Sequence, residues 1–428
     1  MGIKNRSKSH GSECGAVAIQ LLVILVPVLF GFMGFAIDLG RLYLIRVELN
    51  QAANAMALSA ARQLIGTSAA TDFATNAARI TVDHANLNSN KYNFGSVPIG
   101  DTSGFYASEV PDPSYFATAA DAMASDPNGQ TGTAADGTTA QYVQANITAD
   151  APLTFWAVFK TGASRKTTVA ARAVAGVSAP LCTACGIENF AIQAIDQTDL
   201  INFGLVSGTR YTFGYVCNGI PQPGGLPGAA QRLPYLLLDR YDTGSMFDES
   251  QQLFRIGGGG LPGSSVSTQS CFRAGNSEVV WATATPQTCV SQAVPQSVVN
   301  LLCGVSARFT TNTPAACTGV TDAANLSSSF TADTDLTDIV DYSTYTGSIR
   351  RVITVPVVDT LSAANAMIVL GFRQFLVEAN TGEESNLPSD TNGRFQALYI
   401  GSPVPLKQGR FDGGCQAQSG PGKVVLFQ

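Results

Sequence analysis

The chain has 428 residues, 13% of them charged, with a formal net charge of −6 and a sequence pI near 5.0. This length holds one large domain or two to three ordinary ones, and the acidic balance excludes the basic footprint that nucleic-acid binding needs. The charged fraction falls below the roughly 25% of an average soluble protein; Gly, Ala, Ser and Thr stand in for Lys and Glu, which suits an exported surface.

Residues 1–14 form a polar tail carrying Lys4, Arg6 and Lys8. From Gly15 to Ile37 the chain then runs 23 residues without a charge, with Gln20 as its one strongly polar side chain. About 20 apolar residues cross a bilayer core, so 15–37 is predicted to be a transmembrane helix. A cleaved signal peptide would show a shorter apolar region, about 7–15 residues, followed by a small-x-small site. Here the run flows directly into Asp38-Leu39-Gly40-Arg41, so a retained anchor is expected. Three Lys/Arg precede the span, and Arg41 and Arg46 follow it, which favours a cytoplasmic N-terminus.

The helix is predicted to continue beyond the membrane. Leu42, Ile45, Leu49, Ala52 and Met56 are spaced 3-4-3-4, an a/d stripe. The stripe either packs on its own domain or offers itself to partner helices. Alanines at 52, 53, 55, 57, 60 and 61 add helix propensity and let another backbone approach. Gly66-Thr67-Ser68 is a stop signal, and a second helix is expected over Ala69–His84. Residues 86–139 are rich in Asn, Gly, Pro and Asp and read as loops and turns. Gln141–Ala149 and Thr168–Val177 alternate as strands do, and Leu153–Phe159 between them is apolar and aromatic. Region 38–179 is therefore expected to hold the continued helix plus a small sheet.

Pro180 opens a part rich in cysteine and in short β-like runs. Ile349–Val358 and Met367–Val377 are its clearest strands; Phe395–Ile400 and Val424–Phe427 are expected to complete their sheet. Of nine cysteines, Cys14 precedes the span and the others all follow it: Cys182, Cys185, Cys217, Cys271, Cys289, Cys303, Cys317 and Cys415. An even set on one side of a membrane reads as candidate disulfides in an oxidising compartment, against the alternative of buried thiols. Eight cysteines allow 105 pairings, so the connectivity stays open.

Sites for chemistry are sparse. Cys182-Thr183-Ala184-Cys185 is a C-x-x-C, but it lacks the βαβ setting of a redox pair and a second pair or histidines for zinc. Asp333, Asp335, Asp338 and Asp341 offer hard oxygens to calcium, without the glycine and terminal Glu of an EF-hand; a solvated acidic loop is the plainer reading. Asp38 and Arg41 flank the membrane exit and either pair at i,i+3, meet a partner subunit, or are interfacial charges with no special task. The only histidine after the span, His84, has no nucleophile-elbow motif near it, and no Walker loop or Gly-x-Gly-x-x-Gly is present. The chain is expected not to be an enzyme: no catalytic, cofactor-binding or metal residues are assigned, and no cofactor, nucleic acid or small-molecule substrate is expected.

One resemblance covers about 50 residues. Gly15-Ala16-Val17-Ala18, the unbroken apolar run, Asp38-Leu39-Gly40-Arg41, Leu42-Tyr43, Arg46 and Glu48-Leu49-Asn50-Gln51-Ala52-Ala53-Asn54-Ala55 follow each other in the order and spacing of the TadE/TadG-like proteins. Those proteins belong to the tight-adherence (Tad, Flp) pilus system. The resemblance implies a minor pilin-like subunit or assembly component in a bacterial inner membrane. Its partners would be other pilin-like subunits or Tad assembly proteins. Pilin-like precursors are cut after a Gly, and a Glu five residues on pairs with a neighbour's new amino terminus. The matching positions are Gly15 and Gln20, and Gln20 departs from that pattern, since an amide hydrogen-bonds in lipid but forms no charge pair. The Asp-x-Ser-x-Ser motif of family members with a von Willebrand-type domain is absent.

The expected architecture is α+β. It comprises a cytoplasmic tail (1–14), a transmembrane, pilin-like helix (15–37), a helix continuation with a small α+β region (38–179), and a cysteine-containing, β-rich, disulfide-bonded periplasmic or extracellular domain (180–428). The rival functions are a membrane-tethered adhesin or binding module unrelated to pili, and a tethered hydrolase relying on His84 or an acidic pair.

Overall fold

The computed structural model describes residues 13–82, 108–124, 132–156, 165–216 apart from 186 and 189, 231–238, 341–347, 351–362, 367–378, 391–410 and 418–427, with short pieces at 93–94, 97–98, 224–225, 271–273, 279–280, 301 and 305. It divides into two compact units: Met1–Met56, Arg79–Asp112 and Ala145–Ala173 in one, and Ala57–Ala78, Pro113–Gln144 and Val174–Gln428 in the other.

Helix α1 runs unbroken over Glu13–Ala61, 49 residues, or about 74 Å at 1.5 Å per residue. Pro27 lies inside it. Between residues 19 and 44 its large side chains point outward, Ile37 60% and Leu44 58% exposed, whereas Ile45 is 3% and Leu49 2% exposed. Among the described helices, α1 is the one long and apolar enough to cross a membrane.

In the first unit, two strands follow from period-2 alternation: β3, Tyr142–Pro152, and β4, Lys166–Val177. Both continue into the second unit. The strand β1 (Ser108–Glu109) pairs antiparallel on β3 at Ala149 and Thr148. Leu153 donates its N–H to the Arg165 carbonyl at 2.9 Å and closes the β3–β4 hairpin beyond the strand ends. Lys166 pairs with Asp150, which also accepts from Thr168 at 3.0 Å.

In the second unit, α1 ends and the chain turns at Gly66, whose φ of +77° is left-handed and suits glycine. Helix α2 (Ala70–Val82) presents Ala70, Ala74 and Ala78 at i,i+4 spacing, each fully buried. Ile65 and Ala70 cluster with Tyr345, Val352, Leu376 and Ile400, and the Tyr342 hydroxyl donates to the Ile65 carbonyl at 3.0 Å. The strand β2 (Ser114–Phe116) pairs antiparallel with the start of β3, and a short helix α3 (Ala119–Ala124) follows it.

The rest of this unit is a closed six-stranded barrel. A small strand β5 (Thr183–Cys185) precedes its first strand, β6 (Phe190–Gln193). The barrel continues with β7 (Arg210–Val216), β8 (Gln231–Leu237), β10 (Val352–Val358), β11 (Met367–Val377) and β12 (Thr391–Gly401), where β9 (Cys271–Arg273) lies outside the ring. Around the ring β6 pairs with β8, β8 with β7, β7 with β12, β12 with β11, β11 with β10, and β10 with β6. The β8–β7 and β10–β6 pairs are parallel. All seven residues of β10 are buried, which is why its run is continuous rather than alternating. Aromatic rings fill the interior: Phe213 stacks on Phe395 at 4.7 Å, and Phe190 and Phe375 meet Phe213 edge-on at 6.0 and 5.1 Å. Beside the ring, β5 lies between β9 and β13 (Gln408–Arg410).

The last strand, β14 (Val424–Phe427), departs from expectation. It does not extend the sheet of β10 and β11; it pairs antiparallel with β4, Val424 opposite Val177 and Phe427 opposite Val174. The Phe427 ring meets Tyr142 edge-on at 5.1 Å, a packing partner that lies 285 positions away in sequence (427 − 142).

Candidate functional site at the membrane exit of the long helix

Asp38 is the first charge after the apolar run, and it is only 3% exposed. Gly34 precedes it by one helical turn on the same face. Opposite them runs the segment that enters the β3–β4 hairpin tip. Asp38 Oδ1 accepts from the backbone N–H of Thr154 at 2.8 Å and of Phe155 at 3.2 Å; Oδ2 accepts from Phe155 at 3.0 Å and Trp156 at 3.0 Å. Three consecutive N–H groups converging on one carboxylate form an anion nest, here filled by a side chain of the same chain. The Arg41 guanidinium donates to Thr154 Oγ1 at 3.1 Å. A Cβ added at Gly34 would overlap the Phe155 ring, so the glycine is what lets the ring lie on the helix.

The electrostatics follow from this geometry. Burial works to raise the Asp38 pKa, but the N–H groups of Trp156, Thr154 and Phe155, with the positive charge of Arg41, together outweigh it and hold the carboxyl below its ordinary value. Glu48, two to three turns further on, has only burial acting on it and is raised. Asp38 therefore stays ionised at neutral pH and locks helix to hairpin at the level where the helix leaves its apolar stretch.

Asp38 is thus held by backbone N–H groups from a distant segment, with the Arg41 charge that sequence spacing places beside it acting in the same direction. Sequence reasoning registered the charged exit and the aromatic run 153–159 separately; nothing in spacing alone joins positions 116 to 118 residues apart.

The remaining sequence-predicted positions are scattered. Gly15 lies within α1, and Gln20 is exposed on its apolar stretch. Of the a/d stripe, Leu42 is half-buried, while Ile45, Leu49, Ala52 and Met56 are buried within the chain. Cys182 precedes β5 and Cys185 is its last residue, and the backbone register sets Cys185 opposite Cys271. Cys217, Cys289, Cys303, Cys317, Cys415, His84, Asp333, Asp335 and Asp338 lie outside the described residues. Asp341 caps a single 3-10 turn, accepting from the Ser343 N–H at 2.9 Å. Among the described residues no group of three or more His, Cys, Asp or Glu is placed to hold a metal. A cavity of about 220 Å³ in the second unit, between Gly66, Thr138, Ser178, Ser402 and Gly422, is lined by no charged side chain.

No curated protein and no solved structure matches the chain. The segment that carries Gly34, Asp38 and the stripe does have relatives: residues 15–63 match the model of the Flp pilus-assembly TadE/G-like family, so this N-terminal segment is TadE/G-like.

Proposed function

We propose that the protein is a minor pilin-like subunit or assembly component of a Flp/Tad pilus or a related secretion apparatus, anchored in the inner membrane and acting without catalysis. The observation that carries this reading is the TadE/G-like segment, residues 15–63, coinciding with a helix whose apolar side chains stand bare along the span. The folded parts then lie on the periplasmic side, which the basic tail of Lys4, Arg6 and Lys8 supports. Because Ile45, Leu49, Ala52 and Met56 are already covered, contacts with other pilin-like helices fall to the exposed span, where small residues such as Gly31 allow close packing. Disulfides in the β-rich part belong to the same reading. They are supported by the register of Cys185 against Cys271, since directly opposed strand residues lie within bridging distance.

Deleting the gene in its native host and comparing sheared surface pili with wild type tests the proposal. Loss of pili, restored by the full-length gene, is expected; unchanged pili would overturn it.

One observation favours a tethered binding module instead. At Asp196–Val206 the Asp199 carboxylate accepts from the N–H groups of Ile201, Asn202 and Gly204, each at 3.0 Å. Phe203, at φ +56°, packs its ring 4.3 Å from the Arg373 guanidinium. This rigid loop leaves Ile201 and Val206 each 57% exposed. Normal pili together with ligand binding by residues 180–428 expressed alone would select this second reading.

A further inference from the structure

We infer that the segment leaving β3 is a second membrane contact: Leu153, Phe155 and Trp156 sit in the lipid interface on the side where α1 emerges. This rests on the reading of α1 as a membrane span. Depth is set by the clamp. Phe155 covers Gly34, one turn inward of Asp38, and a turn is about 5.4 Å along the axis. At that level the faces of the helix away from Phe155 carry exposed apolar side chains, Met33 60%, Phe35 49% and Ile37 60% exposed. A segment bonded to Asp38 through three successive N–H groups cannot sit above the apolar zone while its aromatic ring lies within it.

The side chains are ordered as an interface requires. Phe155 lies deepest, against Gly34. The backbone N–H of Trp156, a residue 42% exposed, is level with Asp38. Thr154 and Arg41 bond to each other further out, and Arg165, exposed, faces Leu153 across the hairpin. An apolar ring innermost, a guanidinium outermost and an exposed tryptophan in the segment that joins them suit the environments from acyl chains to headgroup phosphates.

The chain has two tryptophans, at 156 and 281, so a single substitution isolates the reporter. The full-length Trp281→Phe protein is reconstituted in phosphatidylcholine–phosphatidylglycerol vesicles whose acyl chains are brominated either near the headgroup or near the chain end. The expected result is blue-shifted Trp156 emission, with a loss of intensity greater for bromines near the headgroup. A second protein, Phe30→Trp in a Trp156→Phe, Trp281→Phe background, reports the span itself. Quenching of the residue-30 reporter with none of Trp156 would overturn the hairpin contact and leave the span standing. Quenching of neither would overturn both.

Discussion

Asp38 is a side chain whose charge, more than its shape, organises its surroundings. Both carboxylate oxygens accept, so an amide at this position would turn its NH₂ toward a backbone N–H that needs an acceptor. Asp38→Asn is expected to cost about 2 kcal/mol locally, on the scale of hydrogen bonds to charged groups. Hydrogen exchange should read this as roughly 30-fold faster exchange at Thr154, Phe155 and Trp156, with little change in the barrel strands. The pH dependence has a definite sign. The folded carboxyl is held below the unfolded value of about 3.9. Its contribution is therefore complete above that value and is lost as pH falls through the depressed folded pKa. Protection of the three amides should be flat from pH 8 to about 5 and disappear only in stronger acid, with the Asn variant showing no such acid step.

At the scale of elements, two glycines of α1 separate a tertiary role from a helical one. Gly34→Leu would drive the side chain into the Phe155 ring and lift the hairpin from the helix, whereas Gly40 has open space around its missing Cβ. Gly40→Ala is expected to be neutral or stabilising by up to about 1 kcal/mol through helix propensity. Limited proteolysis between Pro152 and Arg165 in detergent should find the first variant cleaved faster and the second unchanged. The a/d stripe makes a related point. Spacing shows that Leu49 and Ala52 share a face, but not what covers it; burial to 2% and 0% shows that the chain covers it itself. Leu49→Lys should therefore cost several kcal/mol, as an unpaired buried charge does. The measurement is thermal unfolding, where a simple loss of partner binding would leave the midpoint in place.

At the scale of the whole molecule, the chain's end returns to its beginning. Val424–Phe427 pairs along β4, and Lys423 donates its N–H to Ser178 Oγ at 2.9 Å. Truncation after Lys423 removes only five residues, yet it should unpair Val174–Val177 and expose the Tyr142 ring. A lowered melting temperature with an intact aromatic near-ultraviolet signal from the barrel is the expected outcome. The barrel should persist because its core, Phe190, Phe213, Phe375 and Phe395 among others, makes no use of β14.

The parts legible in the sequence are those governed by local periodicity. A charge-free run of bilayer length, the 3-4 spacing beyond it, and the alternation at 141–149 and 168–177 each follow from one element's own geometry, as does the apolar run Met367–Val377. The TadE/G-like segment was legible too, as an ordered set of short motifs. Tertiary structure alone decided which distant segments meet. The strands Phe190–Gln193, Arg210–Val216 and Gln231–Leu237 are short and aromatic, and become strands by closing a ring with partners up to about 190 residues away. The partners of Asp38 are backbone N–H groups, which every residue but proline carries, so no side-chain pattern could announce them. Local sequence dictates a segment's conformation and which face is apolar. What that face meets depends on packing across the chain, and the clamp between helix and hairpin, where the helix leaves its apolar stretch, is decided there.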